Sequence, residues 1–342
     1  MKKEFILVVL AGLLIFPAFS QNPPQDKNWE VVFQDDFNTF NTTRWWKEYG
    51  PDNPGGGKDE GVGFRTYDNV FTANGNLVMR TKKENNNCTS AGNCRYPNRI
   101  HPYSSGDIVS RAAYHYGYYE MYAKLPSNKG FSPGFWFWNA KNNQNECWYN
   151  EINVIEVHVC KSNLYPIGIH AHFPSDCSTL YSKGEYYDVE CTYGDGYHWY
   201  GLEWNKDRVT WYLDRKIVKQ LSNNFEIYGV QHPMYMIIGV GLRDVEIPGY
   251  CAIPSNTTFP KDMLVDQLNA YKLKCDKNTV VNEIPNYNTF NYAVKKSITL
   301  SGISSLSSGQ NVSLRASDFI ELKEGFEVPL GAELYLDNNP CE

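Results

Sequence analysis

What the chain lacks narrows it first. Beyond its opening residues no apolar run approaches the ~20 residues a membrane span needs, so no transmembrane segment is expected. No block of Lys and Arg stands anywhere in a chain of net charge -6, which argues against a nucleic-acid partner because phosphate binding needs clustered cations. None of the nine cysteines forms a CxxC pair or sits near a His in zinc-like spacing, so a structural zinc is not expected. No long segment keeps a helical period, which sets aside an α/β fold.

Residues 1–20 carry Lys2 and Lys3, an apolar stretch from Phe5 to Phe16, and small residues at Ala18 and Ser20. This is the layout of a secretory signal, so a secreted, periplasmic or cell-surface protein is expected. Disulfides follow from an oxidising compartment. Cys88 with Cys94 and Cys177 with Cys191 are the local pairs to look for, and the odd count leaves one thiol over.

Aromatics make up 15% of the chain, with 25 Tyr and 9 Trp. Most stand in short runs alternating with polar residues, as in Tyr116 to Leu125, Tyr197 to Trp204, Arg208 to Leu213 and Met234 to Val240. Such runs suit half-buried strands separated by Gly, Pro, Asn and Asp turns. The expected fold is all-β, a sandwich or jelly roll over residues 21–275. Around Asp276 to Asn291 aromatic density falls and Asn, Pro and Thr take over, so residues 276–293 are expected to be a linker. Residues 294–342 form a small Trp-free, His-free β module with no cluster of catalytic residue types, for which a structural or tethering role is expected over glycan binding.

The chemistry concentrates in Trp148-Tyr149-Asn150-Glu151-Ile152-Asn153-Val154-Ile155-Glu156-Val157-His158. In a regular strand Glu151 and Glu156, five residues apart, point to opposite faces. A β-bulge at the apolar pair Val154-Ile155 returns them to one face. Their α-carbons then lie roughly 13 Å apart. Leaning side chains can approach the ~5.5 Å separation of retaining glycosidases, where one carboxylate attacks the anomeric carbon and the other protonates the leaving oxygen. Trp136, Trp138 and Trp148 are candidate sugar platforms, since apolar sugar faces stack on rings. His170 and His172 share a strand face and are candidates to bond sugar hydroxyls. No cofactor is needed for this chemistry.

These residues resemble glycoside hydrolase family 16, the laminarinases, lichenases, agarases and carrageenases. Its signature, E-x-D-x-x-E on a bulged strand, is matched by Glu151-Ile152-Asn153-Val154-Ile155-Glu156 except at the middle acid. The likeness extends through Trp29 to Phe33 with Asp35-Asp36-Phe37, Gly75 to Val78, Tyr103 to Gly106, Tyr116 to Glu120, Pro133 to Trp136, Tyr197 to Trp204 and Met263 to Asp266. It implies a concanavalin-like jelly roll of two curved sheets with an open cleft. It implies Glu151 as nucleophile, Glu156 as general acid/base, and an endo-acting monomer whose partner is a polysaccharide, a β-glucan or marine galactan. A structural calcium is also implied, with Asp266 as the position to watch. Residues from Val294, among them Ile320 to Phe326 and Gly331 to Glu333, are similar to short β modules of secreted Bacteroidetes proteins.

Asn153 breaks the signature and leaves two readings: an active enzyme whose Asn153 amide supports ionised Glu151, or a glycan-binding protein that has lost turnover. The substrate is not legible. Long stretches at Pro51 to Phe64 and Lys82 to Arg99 are where such clefts differ, and Arg65, Arg95, Arg99, Arg111 and Arg243 are the candidate contacts for a sulfated chain.

Overall fold

The computed structural model describes residues 29–47, 59–87, 98–142, 147–157, 164–172, 180–188, 194–205, 208–222, 230, 232–243 and 251–338. The expected pairs Cys88–Cys94 and Cys177–Cys191, and the segment 1–28, lie outside the described residues.

Two sheets enclose the main core. Seven antiparallel strands form the first, in the order Leu180–Asp188, Leu164–His172, Cys147–Glu156, Phe131–Asn142, Met234–Leu242, Asp107–Tyr114 and Trp45–Lys47. The second, of eleven strands, runs from Lys216–Ser222 through Arg208–Leu213, His198–Trp204, Gly117–Lys124 and Lys261–Leu273 to Asn76–Asn87 and beyond. Strand alternation decides what each face holds. From the first sheet Phe135, Phe137, Ile152 and Ile238 enter the core, and from the second Tyr119, Met121, Leu202, Trp204, Val209 and Trp211 meet them. All ten are 2% exposed or less, so the space between the sheets is filled by side chains.

The stretch expected as a linker is built into the second unit instead. Val280–Val281 pairs parallel with Ser297 and Ile298, and Ile284, Tyr287 and Tyr292 are buried with Ile298, Leu300, Leu306, Val312 and Leu314. The polar residues that looked like linker close its turns: Asn286 Oδ1 accepts from the N–H of Asn288 and Asn291 Oδ1 from that of Ala293, each at 2.9 Å. Such Asx turns are what Asn supplies locally.

Every strand pair in this unit is parallel. Ile298 lies opposite Ile320 and Asn311 opposite Glu333, an offset of 22 residues in both cases. Parallel neighbours joined at offsets of this length are the signature of stacked coils, each too small to bury a core alone.

The coils dock on the face of the second sheet that points away from the main core. Tyr212 and Glu203 point there, and Tyr212 Oη donates to Glu203 Oε2 at 3.0 Å. Arg315, with a fully buried side chain, lies 3.2 Å from Glu203 Oε1 and 3.4 Å from Asp337 Oδ2. The Arg208 guanidinium sits 3.6 Å from the ring centre of Tyr335. Removing one partner of a buried ionic group leaves uncompensated charge, which costs about 3–5 kcal/mol. Arg315→Ala is therefore expected to lower the unfolding free energy, measured by denaturant titration, by an amount in that range, whereas loss of under about 1 kcal/mol, the level of a surface pair, would show the seam to be wet.

Candidate active site

The strand Cys147–Glu156 is bulged. Its pairing with Phe131–Asn142 sets Phe135 opposite Ile155 and Trp136 opposite Asn153, so Val154 has no counterpart. Val154 and Ile155 both enter the main core with Ile152 and Val157. Two consecutive core residues exhaust the register slip, and Glu156 returns to the face of Glu151 and Asn153. The compensation sits within the apolar pair where the two acids required it.

Each carboxylate has its own partners. Tyr149, two residues before Glu151 and on the same face, donates its phenolic hydrogen to Glu151 Oε2. Burial first, and the charge of Glu151 second, push the Tyr149 phenol far above its ordinary range, so it stays a donor. Asn153 Nδ2 donates to Glu156 Oε2 at 2.7 Å, not to Glu151 as expected from the sequence. The bulge shortens the path from Asn153 to Glu156 and so redirects the amide. Arg243 Nη2 lies 3.6 Å from Glu156 Oε1, with its side chain 13% exposed. An amide donor and a guanidinium both favour a carboxylate's ionised form.

Trp136 and Trp138 stand opposite Asn153 and Glu151 in the neighbouring strand. Both are partly buried and pack with Trp46, Val109, Tyr235 and Ile237. An apolar, ring-rich track therefore crosses the sheet beside the acids. Trp148 does not join it: it stands three positions, an odd offset, from Glu151, so it points to the opposite face, where it is buried and stacks at 4.1 Å on His232. Its ring is thus placed away from the face that carries Glu151 and Asn153. His170 and His172 pair in the backbone ladder with Glu151 and Tyr149, and their side chains lie outside the described residues.

Of the arginines, Arg243 reaches the acids. Arg65 is buried 2.6 Å from Asp107, and Arg111 lies over Trp46 at 4.8 Å. Arg95 lies outside the described residues. Tyr149, Trp46 and Tyr235 also stand beside the acids and the tryptophans. Tyr149 was findable, since it shares the parity of Glu151; Trp46 and Tyr235 depend on a strand order that no local pattern encodes.

Asp266 is half-buried, and burial first, then the charge of Asp36, raises its carboxyl above the ordinary value. Calcium takes six to eight oxygens; among the described residues no three His, Cys, Asp or Glu side chains cluster for a metal, so a calcium here is not supported by side chains alone.

An all-β sandwich with two carboxylates and an aromatic track on one open sheet face is the architecture of a carbohydrate-active protein. The family model for glycosyl hydrolases family 16 matches residues 63–244, more than half of the chain, and the chain belongs to that family. It is 24% identical over 263 residues to an endo-1,3-1,4-beta-glycanase of Rhizobium meliloti (strain 1021), covering 72% of this chain and 52% of that protein. To the kappa-carrageenase of Pseudoalteromonas carrageenovora it is 27% identical over 294 residues, covering 78% and 71%. The laminarinase catalytic domain of Thermotoga maritima MSB8 superimposes with a TM-score of 0.55 at 22% identity, covering 72% of this chain and 99% of that domain. This last likeness is one of fold. The chain spans about half the length of the first of these relatives.

The raised Asp266 carboxyl fixes a sign. A carboxyl whose folded value lies above its unfolded one favours folding when protonated, and that contribution is lost as pH rises through the folded value. Ionised Asp266 is thus a cost near neutrality. Asp266→Asn is expected to melt higher than the wild type at pH 7 in chelator, and the advantage to vanish as pH falls below about 4. Equal melting at both pH values would refute it.

Proposed function

We propose that the chain is an exported, endo-acting hydrolase of a β-linked polysaccharide that works by double displacement with retention. The observation that carries this is the bulge at Val154, which sets Glu151 and Glu156 on one face with distinct partners. Glu151 attacks the anomeric carbon while its Tyr149 hydrogen bond holds the carboxylate in place. Glu156 gives its proton to the leaving oxygen, then takes one from the water that releases the glycosyl-enzyme. Trp136 and Trp138 supply apolar faces against which sugar rings lie. No metal or cofactor enters any step.

Cys251 and Cys275 stand in disulfides, which supports export to an oxidising compartment. Among the described residues no helix is long and apolar enough to cross a membrane.

Asn153 favours the second reading, a glycan-binding protein without turnover. Incubation with laminarin, lichenan, agarose, porphyran and carrageenan separates the two. New reducing ends from wild type but not Glu151→Gln, with the first product appearing as the β-anomer, are expected of the hydrolase. Binding without new ends, unchanged in Glu151→Gln, is the outcome of the binder.

The surroundings of Glu156 give a pH prediction. Its amide and guanidinium neighbours favour the ionised form, which is useless as an acid, so the upper limb of kcat/KM against pH lies low. Asn153→Asp replaces a donor by a like charge. The upper limb is expected to move to higher pH, and superimposable profiles would count against the assignment of Glu156 as the acid.

A further inference from the structure

A bulge solves one problem and creates another. Ladder carbonyls normally point in the plane of the sheet at a neighbouring strand, and the extra residue of a bulge disrupts that pattern. A buried carbonyl without a donor costs free energy. At this bulge the donor comes from across the core. Trp211, fully buried on the strand Arg208–Leu213 of the facing sheet, gives its indole N–H to the carbonyl oxygen of Asn153 at 2.9 Å.

We propose that Trp211 is a positioning residue for the acid/base: its N–H holds the Asn153 peptide turned into the core and so fixes the bulge that aims the Asn153 amide and Glu156 at each other. This rests on the hydrolase reading above. Trp211 reaches the main chain of Asn153 through a hydrogen bond in which indole is donor only. Without the tether the extra residue is free to migrate along the strand, and a slip of one position sends a side chain to the other face. Asn153 or Glu156 would then leave the cleft.

The same core holds a control. Trp204, equally buried, donates its indole N–H to the Val230 carbonyl at 3.2 Å, off the catalytic strand. Each Trp loses one hydrogen bond and some volume on change to Phe, but one of the two bonds serves the bulge.

The test compares Trp211→Phe, Trp204→Phe and a protein carrying benzothienylalanine in place of Trp211, which keeps the ring's shape while sulfur replaces the N–H. Two quantities are read on the folded proteins: kcat and KM on whichever polysaccharide the wild type cleaves, and the titration of the Glu156 carboxyl by carbon NMR. Asn153 bonds Glu156, Arg243 lies beside it and Tyr149 feels its charge, and of these three the Asn153 contact is the one that depends directly on the tether.

Loss of the Trp211 N–H is expected to lower kcat about tenfold or more with KM within about twofold, the mark of a misplaced catalytic group. It is also expected to raise the titration of Glu156, because the amide that favours its ionised form is displaced. Trp204→Phe should do neither. A benzothienylalanine protein with wild-type kcat and wild-type titration overturns the proposal, as does an equal effect of Trp204→Phe. If the wild type cleaves no polysaccharide the hydrolase reading fails by itself, and the Glu156 titration still decides whether Trp211 positions it.

Discussion

The arrangement rests on a conflict between two spacings. Side chains of a strand alternate with period two, while the acids of this chain are five residues apart. One residue that occupies the strand without advancing the register reconciles them, and Val154 is that residue. Much else at the site follows. Because Val154 and Ile155 both turn inward, the core gains an apolar pair at the point where the opposite face of the sheet gains Glu156. Asn153 comes within 2.7 Å of Glu156, a contact that a regular strand, which sends positions three apart to opposite faces, would not allow. The Asn153 carbonyl turns toward the facing sheet and meets an indole.

Around Glu120 and Glu203 the larger sheet is buried on both faces, and its polar residues are arranged accordingly. Glu120, fully buried, receives a two-pronged ion pair from Arg215 and hydroxyl donors from Tyr118 and Tyr271. Glu203 receives Arg315 from the coiled unit and the Tyr212 hydroxyl. A carboxylate survives such burial only with a cation and hydrogen bonds around it. For Glu120 the cation comes from the same sheet; for Glu203 it comes from more than a hundred residues along the chain. The coiled unit therefore completes a face of the main domain. The strand Arg208–Leu213 shows this within two residues, since Trp211 faces the catalytic strand and Tyr212 the docked coils.

Local pattern accounts for much of this and fails where distance in sequence grows. Two acids flanking Val154-Ile155 were enough to require a bulge there, because only a bulge makes an odd spacing compatible with one face. The same parity rule, applied to Trp148, places it opposite Glu151 and explains why it stacks under the sheet on His232. Trp46 and Tyr235 lie beside Trp136 and Trp138 because of strand order, which the local alternation does not encode. Residues 276–293 resemble a linker because Asn and Thr are as many there as apolar residues; yet Ile284, Tyr287 and Tyr292 among the apolar ones are buried. Parallel pairing was hidden for a related reason, since short coils and hairpins share the same alternation and turn residues.

Asn153 acquires a different meaning once Arg243 is placed. With an aspartate at 153 the strand would set three carboxylates along one face, and the middle one would oppose ionisation of its neighbours. With asparagine the face carries two carboxylates and one guanidinium, so its net charge is one unit negative in place of two.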